Sequence, residues 1–383
     1  MTRKSIAAAI RGGVLVLILA SCGGAAPAQP SPSAPAEAAG PAASAASAGA
    51  TWDTMLAAAK KEGKVIVTGA PDVATRQKLP AAFKQRYGID VEYLPEATSV
   101  TARMQGERAA GQYNVDVILN GSDSVYGTLW PNGWLDPIKP ILVLPDAIDG
   151  SKWRTGQPWF GDPRGDTVLR MFNTVSHGLT LNTQIVPVDQ VPNGDALLDP
   201  KWKGKIAAFD PSVNGAGLAA GSALYVSKGK EWVSQLYKGQ NVVLTRDYQQ
   251  TPDWVAHGAY PIGIAVGRNY LEPYIKTGMT FAQPMLPDIR DYTGAGYGLL
   301  CLVNKAPHPN AARVFVNWMA SREGTAVYAE AQAQVPVRND VDTPWVPSDF
   351  VPQPSVKYLD TYDYEFLTKE RLPIRDFYAS LLK

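Results

Sequence analysis

The sequence contains few of the residues from which metal sites, disulfide frameworks and many catalytic centres are built. Its 383 residues include two cysteines, Cys22 and Cys301, and three histidines. Two thiols cannot form a cysteine-rich metal site, and they allow one disulfide at most. The histidines, at positions 177, 257 and 308, do not show the His-x-x-x-His spacing of a helical zinc site. We therefore expect neither a bound metal nor a cofactor.

The chain also lacks an excess of charge and a second long apolar run. It has 36 basic and 35 acidic residues, for a formal net charge of +1. So balanced a composition gives no electrostatic attraction for nucleic acid, which we exclude as a partner. No apolar run after the N-terminal region approaches the roughly 20 residues that a membrane-spanning helix needs.

Sequence motifs for catalysis are equally scarce. There is no Gly-x-Ser-x-Gly elbow and no phosphate-binding loop ending in Gly-Lys-Ser/Thr. Cys301 lies in the apolar run 298–303, which predicts a buried strand and not an exposed nucleophile. The sequence does not exclude a catalytic pair of carboxylates, because 35 acidic residues allow many combinations. We predict that the protein is not an enzyme.

The N-terminus has the layout of a secretory signal peptide. Basic residues precede the uncharged run 12–20, which is too short to span a membrane. The run ends in Leu-Ala-Ser-Cys at 19–22, which resembles the lipobox of bacterial lipoproteins. This resemblance implies removal of residues 1–21 and lipidation of Cys22. The protein would then be extracytoplasmic and anchored by its lipid to the outer face of the cell membrane, or periplasmic. A plain signal peptide with a chance cysteine is the alternative.

A segment of low complexity follows Cys22. Residues 23–50 are almost wholly Ala, Gly, Pro and Ser, with Glu37 as the single charged residue. Such a segment buries too little apolar surface to offset the entropy lost on ordering. We predict a disordered linker over residues 22–50.

Regular patterns begin at Trp52, where apolar residues recur at helical spacing between Thr51 as the cap and Gly63 as the end. Strands and helices then alternate, which is typical of α/β proteins with mostly parallel sheets. The predicted strands lie at 64–68, 89–93, 115–119, 204–209, 241–245 and 260–266, and the predicted helices include one running to Tyr87 that Pro80 must start or kink, one from Ser99 and one over 218–226.

Several stretches resemble a known family. They are LPAAFKQRYGIDVEY at 79–93, TARMQGE at 101–107 leading to VDVI at 115–118, LDPKWKGKI at 198–206, and APHPNAARVFVNWM at 306–319 followed by SREG at 321–324. In this order, over roughly residues 52–340, they are similar to extracellular solute-binding proteins of ABC importers, in the branch with ferric-iron, phosphonate, thiamine and polyamine binders.

The resemblance implies a two-lobed periplasmic-binding-protein-like fold of type II. Each lobe would hold a mixed, mostly parallel sheet flanked by helices, and crossover strands would join the lobes. The implied function is capture of a small-molecule solute between the lobes and delivery to an ABC permease in the membrane, by a protein that we expect to be a monomer. The predicted parts are lobe 1 at 51–170 plus 286–340, lobe 2 at 171–285, and a C-terminal segment at 341–383 that packs on a lobe.

Topology indicates where the solute would bind. In open α/β sheets, ligands bind beyond the carboxyl ends of the strands, where loops and helix N-termini present backbone donors. Aromatic and cationic side chains near these ends could complete the site. The predicted ligand-binding residues are Gly69, Ala70, Gly121, Ser122, Asn214, Gly215, Arg246, Tyr248, Arg268, Tyr270 and Tyr292.

The segment after the strand at 260–266 distinguishes between ligands. In iron-binding relatives it carries adjacent tyrosines that hold the metal, whereas here these positions are Gly267 and Arg268. Arginine stays protonated and offers five N–H donors, so it favours an anion and opposes ferric iron. A small anionic organic solute is the predicted ligand. The alternatives are a ferric-iron-binding protein, a lipid-tethered extracytoplasmic hydrolase and, for Arg268 alone, a surface ion pair with Glu272.

Overall fold

The computed structural model describes residues 41–96 and 99–383. The predicted signal peptide, the lipidation at Cys22 and most of the predicted linker lie outside these residues. The first described helix, α1, spans Pro41–Glu62, so it begins ten residues before the predicted cap, Thr51, which lies inside it. Alanine has the highest helix propensity, which explains why this Ala-rich end of the predicted linker is helical. Gly63, with φ 76°, ends the helix as predicted.

The first sheet is built from both ends of the chain. The order β2-β1-β3-β13-β4 is extended by β5, which also pairs with β13. Pairing is parallel among β1, β2 and β3, and antiparallel wherever β13 takes part. Its strands are β1 (Lys64–Gly69), β2 (Asp90–Pro95), β3 (Val117–Asn120), β4 (Leu135–Asp136), β5 (Val168–Arg170) and β13 (Leu299–Val303).

Helices cover the first sheet and end where local sequence signals predict. Asp72 caps α2 by accepting a hydrogen bond from the backbone of Thr75, and Gly88 ends it with φ 70°. Pro80 lies in the middle of α2 and not at its start. These helices are α2 (Val73–Tyr87), α3 (Val100–Ala109), the short α4 (Ser122–Ser124) and α5 (Pro145–Ile148), and α9 (Pro309–Ala320) and α10 (Arg322–Gln332).

The second sheet comes from the middle of the chain and has the order β11-β7-β10-β8-β9. β8 is parallel to β9 and β10, whereas β7 is antiparallel to β10 and β11. Both main sheets are therefore mixed, with less parallel pairing than predicted. The elements are β7 (Leu179–Asn182), β8 (Ile206–Phe209), β9 (Val243–Thr245), β10 (Ile262–Ile264) and β11 (Phe281–Ala282), with α6 (Ala216–Ser234), α7 (Gln250–Ala256) and α8 (Arg268–Ile275).

The chain passes between the two sheets in two strands that pair with each other. β6 (Thr174–Ser176) leads from the first sheet to the second, and β12 (Tyr292–Gly294) leads back. A third strand, β14 (Leu359–Asp360), adds to β12 in parallel. The predicted crossover strands are therefore present, and the C-terminal segment reinforces them.

The C-terminal segment contacts both lobes and not one. Leu367 is fully buried in a core with strands of the first sheet, and Tyr378 is fully buried in the core of the second. The segment continues from β14 through the short α11 (Tyr364–Phe366) and a π-helical stretch, Leu367–Arg371, into α12 (Leu372–Leu381). Residues far apart in sequence are thus brought to the junction between the lobes.

Cys301 was predicted to lie in a buried strand, and the structure confirms this. Cys301 lies on β13 with no exposed surface, and burial raises the pKa of its thiol well above the usual range. Among the described helices, none combines the length and apolarity that crossing a membrane would require.

Candidate functional site

A cavity of about 210 Å³ lies at the junction of the two lobes. The end of β3 contributes Gly121 and Asp123, and the loop before α6 contributes Asn214 and Gly215. The start of α8, the crossing strands and the C-terminal segment supply the remaining wall. The cavity therefore lies beyond the carboxyl ends of β3, β8 and β10, where the topology predicts a ligand.

Most of the predicted ligand-binding residues come together around this cavity. Those that line it are Gly121, Asn214, Gly215, Tyr248, Arg268, Tyr270 and Tyr292. Ser122 lies directly behind the wall, where its hydroxyl accepts a hydrogen bond from Arg371.

Besides Ser122, three predicted residues do not line the cavity: Gly69, Ala70 and Arg246. Tyr93 fills the space beside Gly69, where its hydroxyl lies 2.5 Å from the position a Cβ would take, and it donates to the carbonyl of Ala70. Arg246 pairs with Asp210, and its side chain is 68% exposed in a separate depression that shares Tyr248 and Tyr270 with the cavity wall. Local strand and loop patterns could not show that Tyr93 occupies the first loop.

The sequence analysis missed several residues of the wall. Asp123 follows directly after two predicted residues, and its acidic side chain in that loop was a usable signal. The C-terminal residues carried no such signal, because nothing local indicates that a segment so late in the chain returns to the cleft. The missed polar and aromatic residues include Asp123, Asn269, Gln283, Gln332, Gln334, Thr361, Tyr362 and Arg371.

Glycines bring the first turn of α6 against the end of β8. Gly215 has φ 127°, a conformation that disfavours other residues, and a Cβ there would lie 2.5 Å from the hydroxyl of Tyr248. A Cβ on Gly217 would lie 2.3 Å from the carbonyl oxygen of Phe209. The site thus depends on close approach of backbone to backbone.

Gly217→Ala is expected to weaken solute binding and to lower the free energy of unfolding by about 1–3 kcal/mol, because α6 must move away from β8. Thermal unfolding and calorimetric titration measure both effects. Gly239→Ala is the matched control, since no atom lies within 4 Å of its Cβ position. An unchanged midpoint for Gly217→Ala would show that the start of α6 shifts without cost.

A buried ion pair at the cavity wall links the first lobe to the C-terminal segment, and a backbone hydrogen bond from Gly215 adds the second lobe. Oδ2 of Asp123 accepts hydrogen bonds from Arg371 at 2.9 Å and from the backbone N–H of Gly215 at 3.0 Å. Arg371 also donates to Ser122 and to the carbonyl of Thr361. Asp123 and Arg371 are 6% and 1% exposed, so each charge relies on the other for neutralisation.

Arg268 is the cation of the cavity wall with the looser ion pair. It opens α8, and its nearest carboxylate, that of Glu272, lies 3.8 Å away. Its guanidinium lies over the ring of Phe350, 5.9 Å from the centroid. Within the described part of the chain it forms no hydrogen bond, and its Nε is buried without a partner. The predicted ion pair with Glu272 is therefore loose and leaves N–H donors available.

Tyrosines form much of the remaining surface. Five of them line the cavity: Tyr248, Tyr270, Tyr292, Tyr297 and Tyr362. The rings of Tyr248 and Tyr270 are nearly parallel, with centroids 5.9 Å apart. Burial raises the pKa of each of these phenols, that of Tyr248 to about 12. They are therefore protonated at neutral pH and offer apolar area with a hydroxyl at the edge.

Charged residues in the wall are few. Asp123, Arg268 and Arg371 are the charged residues among those that line the cavity, which gives one positive charge in excess. Across the described residues, no group of three or more His, Cys, Asp or Glu side chains is placed to hold a metal ion.

Two α/β lobes, a double strand crossing and, at their junction, a cavity lined by tyrosines and three charged side chains define a two-lobed solute-binding protein. Residues 78–352 match the family model described as bacterial extracellular solute-binding protein. The chain belongs to this family. It is an extracytoplasmic protein that binds a small-molecule solute for an ABC importer, with the membrane permease as its partner, as predicted from the sequence.

Several solved structures share the fold of this chain. Iron-bound HitA from Pseudomonas aeruginosa has a TM-score of 0.61 at 17% identity, and the match covers 83% of this chain and 99% of HitA. AfuA from Actinobacillus pleuropneumoniae, with fructose-6-phosphate bound, has a TM-score of 0.66 at 17% identity over 83% of this chain and 98% of AfuA. AgtB from A. tumefaciens R10, in complex with agropinic acid, has a TM-score of 0.62 at 14% identity, and the match covers 84% of this chain and 98% of AgtB. At these identities the likeness shows the fold alone.

Proposed function

We propose that the protein binds a small anionic organic solute in the cavity between its lobes, with Arg268 as the principal cation. The observation that carries this proposal is the excess positive charge of the cavity wall. Asp123 and Arg371 neutralise each other at 2.9 Å, whereas Arg268 meets its nearest carboxylate, that of Glu272, only at 3.8 Å and forms no side-chain hydrogen bond within the described residues. A carboxylate or phosphate satisfies a guanidinium in two parallel hydrogen bonds.

Binding from both lobes would drive closure. Arg268 and Tyr270 belong to the second lobe, and Gly121 follows a strand of the first, so a solute that contacts all three favours the closed arrangement. Micromolar affinity corresponds to about 8 kcal/mol, which one bidentate arginine, backbone donors and tyrosine walls can supply. The closed form is then the state that the permease recognises.

The residues that line the cavity are suited to binding a solute and not to catalysing a reaction. Among the residues lining the cavity there is one carboxylate, and both donors to its Oδ2 hold it in place. Acid–base catalysis by paired carboxylates would need a second one. We therefore propose that the protein is not an enzyme.

A ligand screen tests the proposal. Residues 41–383 are titrated with short carboxylates, sugar phosphates including fructose 6-phosphate, agropinic acid, inorganic phosphate, thiamine, polyamines and ferric iron. A ligand at a hundred times its dissociation constant adds about 2.7 kcal/mol of stability, enough to raise the unfolding midpoint by several degrees. We expect this shift with one class of organic anions. A shift with thiamine or polyamines but with no anion would overturn the proposal.

Ferric iron is the second candidate, and the five tyrosines of the wall favour it because phenolates are hard oxygen donors. Two guanidinium groups in the same wall oppose a trivalent cation, and burial raises the pKa of every one of these phenols. Iron held by phenolates would give a visible charge-transfer band on titration. That band, without a response to organic anions, would replace the first proposal with the second.

We also propose that the mature protein is a monomer anchored through lipidated Cys22. The tetrapeptide at 19–22 supports this, as does the need of a binding protein to stay close to its permease. Cys22→Ser is expected to move the protein from the membrane pellet to the soluble fraction. Retention in the pellet would contradict the anchor. The lobe boundaries given above, 51–170 plus 286–340 and 171–285, stand as part of the same proposal.

A further inference from the structure

Aromatic rings give the cavity accessible surface from both lobes. Tyr270 lies on α8 of the second lobe, and Tyr297 lies just before β13 of the first sheet. Both residues line the cavity, and both are only half-buried. A solute between the lobes can therefore contact ring carbon from either side.

Tyr270 ends a column of stacked rings. Phe209 stacks on Tyr248 with the ring centroids 4.3 Å apart, and Tyr248 is nearly parallel to Tyr270, with the centroids 5.9 Å apart. Phe209 belongs to the buried core of the second lobe and anchors the column there. In the part of the chain that the structure describes, Tyr270 contacts no other ring, so no aromatic side chain covers its second face.

Tyr297 faces this column from the first lobe. Its carbonyl accepts a hydrogen bond of 2.8 Å from the hydroxyl of Tyr328, which is fully buried and fixes the backbone at this point. Burial raises the pKa of Tyr297, and the nearby phenols of Tyr248 and Tyr270 raise it further, as expected for neighbouring groups. Two rings from opposite lobes thus lie close to each other in one wall.

Several polar side chains of the wall are already engaged within the protein. The side-chain amides of Gln283 and Gln332 each donate two hydrogen bonds to protein atoms. The hydroxyl of Tyr362 donates to the carbonyl of Gly296. A solute would have to break these bonds to use the same donors, whereas it meets the open ring surface without such a loss.

The size of the cavity suits a solute with one ring. Its volume of about 210 Å³ corresponds to roughly seven water molecules at ~30 Å³ each. A six-membered ring with one acidic substituent fits this space, whereas a disaccharide or a peptide is too large for it.

We infer that the solute is an aromatic anion, whose ring lies between Tyr270 and Tyr297 while its carboxylate or phosphate binds Arg268. The inference rests on the proposed function, in which Arg268 is the anion site. Contacts between aromatic rings strengthen binding by roughly 2- to 13-fold beyond the effect of the buried area, and a saturated ring of the same size lacks this gain. Because the two tyrosines belong to different lobes, the ring also favours closure.

Matched pairs of probes test the inference by calorimetric titration of residues 41–383. The pairs are benzoate with cyclohexanecarboxylate, phenylacetate with cyclohexylacetate, and phenyl phosphate with cyclohexyl phosphate. The members of a pair have the same charge and carbon number and differ in the aromaticity of the ring. We expect the aromatic member of at least one pair to bind about threefold or more tightly than its partner, although the cyclohexyl group is the more apolar of the two.

Substitutions in the wall locate the effect. Tyr270→Leu/Tyr297→Leu removes both rings but keeps apolar side chains, and it should bring the ratio of the two affinities to about one. Tyr270→Phe/Tyr297→Phe keeps both rings and should retain the ratio, which guards against misfolding of the leucine variant. Arg268→Gln should weaken both members of a pair and leave their ratio unchanged. Tyr274→Leu, on the same helix but outside the cavity wall, is the matched control.

The remaining outcomes separate this inference from the proposed function. Equal or weaker binding of the aromatic member in every pair that binds would overturn the inference and leave the anion site intact. A preference that persists in the leucine double variant would place ring recognition elsewhere and would also overturn it. If no probe binds but another organic anion of the ligand screen does, the aromatic class alone is wrong. No response to any organic anion would overturn the inference together with the proposed function.

Discussion

Arg268→Gln is expected to weaken binding of the preferred organic anion by roughly 10- to 150-fold, the equivalent of one hydrogen bond to a charged group at 1.5–3 kcal/mol. The loss should be large because the other cation of the wall, Arg371, is already engaged by Asp123. Isothermal titration calorimetry at low and moderate salt measures it. The wild-type affinity should depend on ionic strength, and that of the variant less so.

The control for this experiment is Lys276→Gln, which removes an exposed positive charge at the other end of the same helix. It should leave affinity within about twofold, because a screened charge outside the cavity contributes little. Arg268→Lys is informative as well, since it keeps the charge but loses the bidentate geometry. If Arg268→Gln binds within twofold of wild type, the anion lies elsewhere in the cleft.

The largest effect on stability is expected at Arg371. Arg371→Gln leaves the buried carboxylate of Asp123 without its counter-charge, which should lower the free energy of unfolding by about 3–5 kcal/mol. Ser122 and Thr361 lose a charged donor at the same time. Urea-induced unfolding and the thermal midpoint both report the change.

The double variant Asp123→Asn/Arg371→Gln separates the charge effect from packing. With both charges removed, no unpaired ion remains in the interior, so the double variant should be clearly more stable than Arg371→Gln alone. Lys369→Gln serves as the control, because Lys369 is exposed and pairs only with the exposed Glu365 among the described residues. A loss below about 1 kcal/mol for Arg371→Gln would show that solvent reaches the pair.

Strand and helix signals predicted much of the fold because they are local. The strand at 64–68 corresponds to β1 and the helix from Ser99 to α3, and Gly63 and Gly88 end helices in left-handed conformations that glycine adopts freely. The predicted start of α1 was wrong, because composition alone does not distinguish a disordered Ala-rich segment from a helical one. The share of parallel pairing was overestimated, because β13 enters the first sheet antiparallel from a distant part of the chain.

The candidate site was predicted where a loop follows a strand. Gly121 and Gly215 line the cavity because the carboxyl ends of strands in both lobes face it. The same rule predicted Gly69 as a ligand-binding residue, and this prediction was wrong because the hydroxyl of Tyr93 fills the space beside it. Whether a loop is open or already filled depends on side chains from other elements, which spacing along the chain does not reveal.

The sequence by itself determined the class of this protein, an α/β solute-binding protein of the extracytoplasmic family. This class follows from local patterns and from the order of motifs along the chain. Only the tertiary structure decided which cation is available. Arg246, Arg268 and Arg371 are the same residue type, and nothing in the sequence separates their roles. In the structure Arg246 is exposed beside Asp210, and Arg371 is buried against Asp123. The side chain of Arg268 has no hydrogen-bond partner among the described residues. The availability of a charge depends on its neighbours in space, and the fold brings these neighbours from as far as 248 residues away.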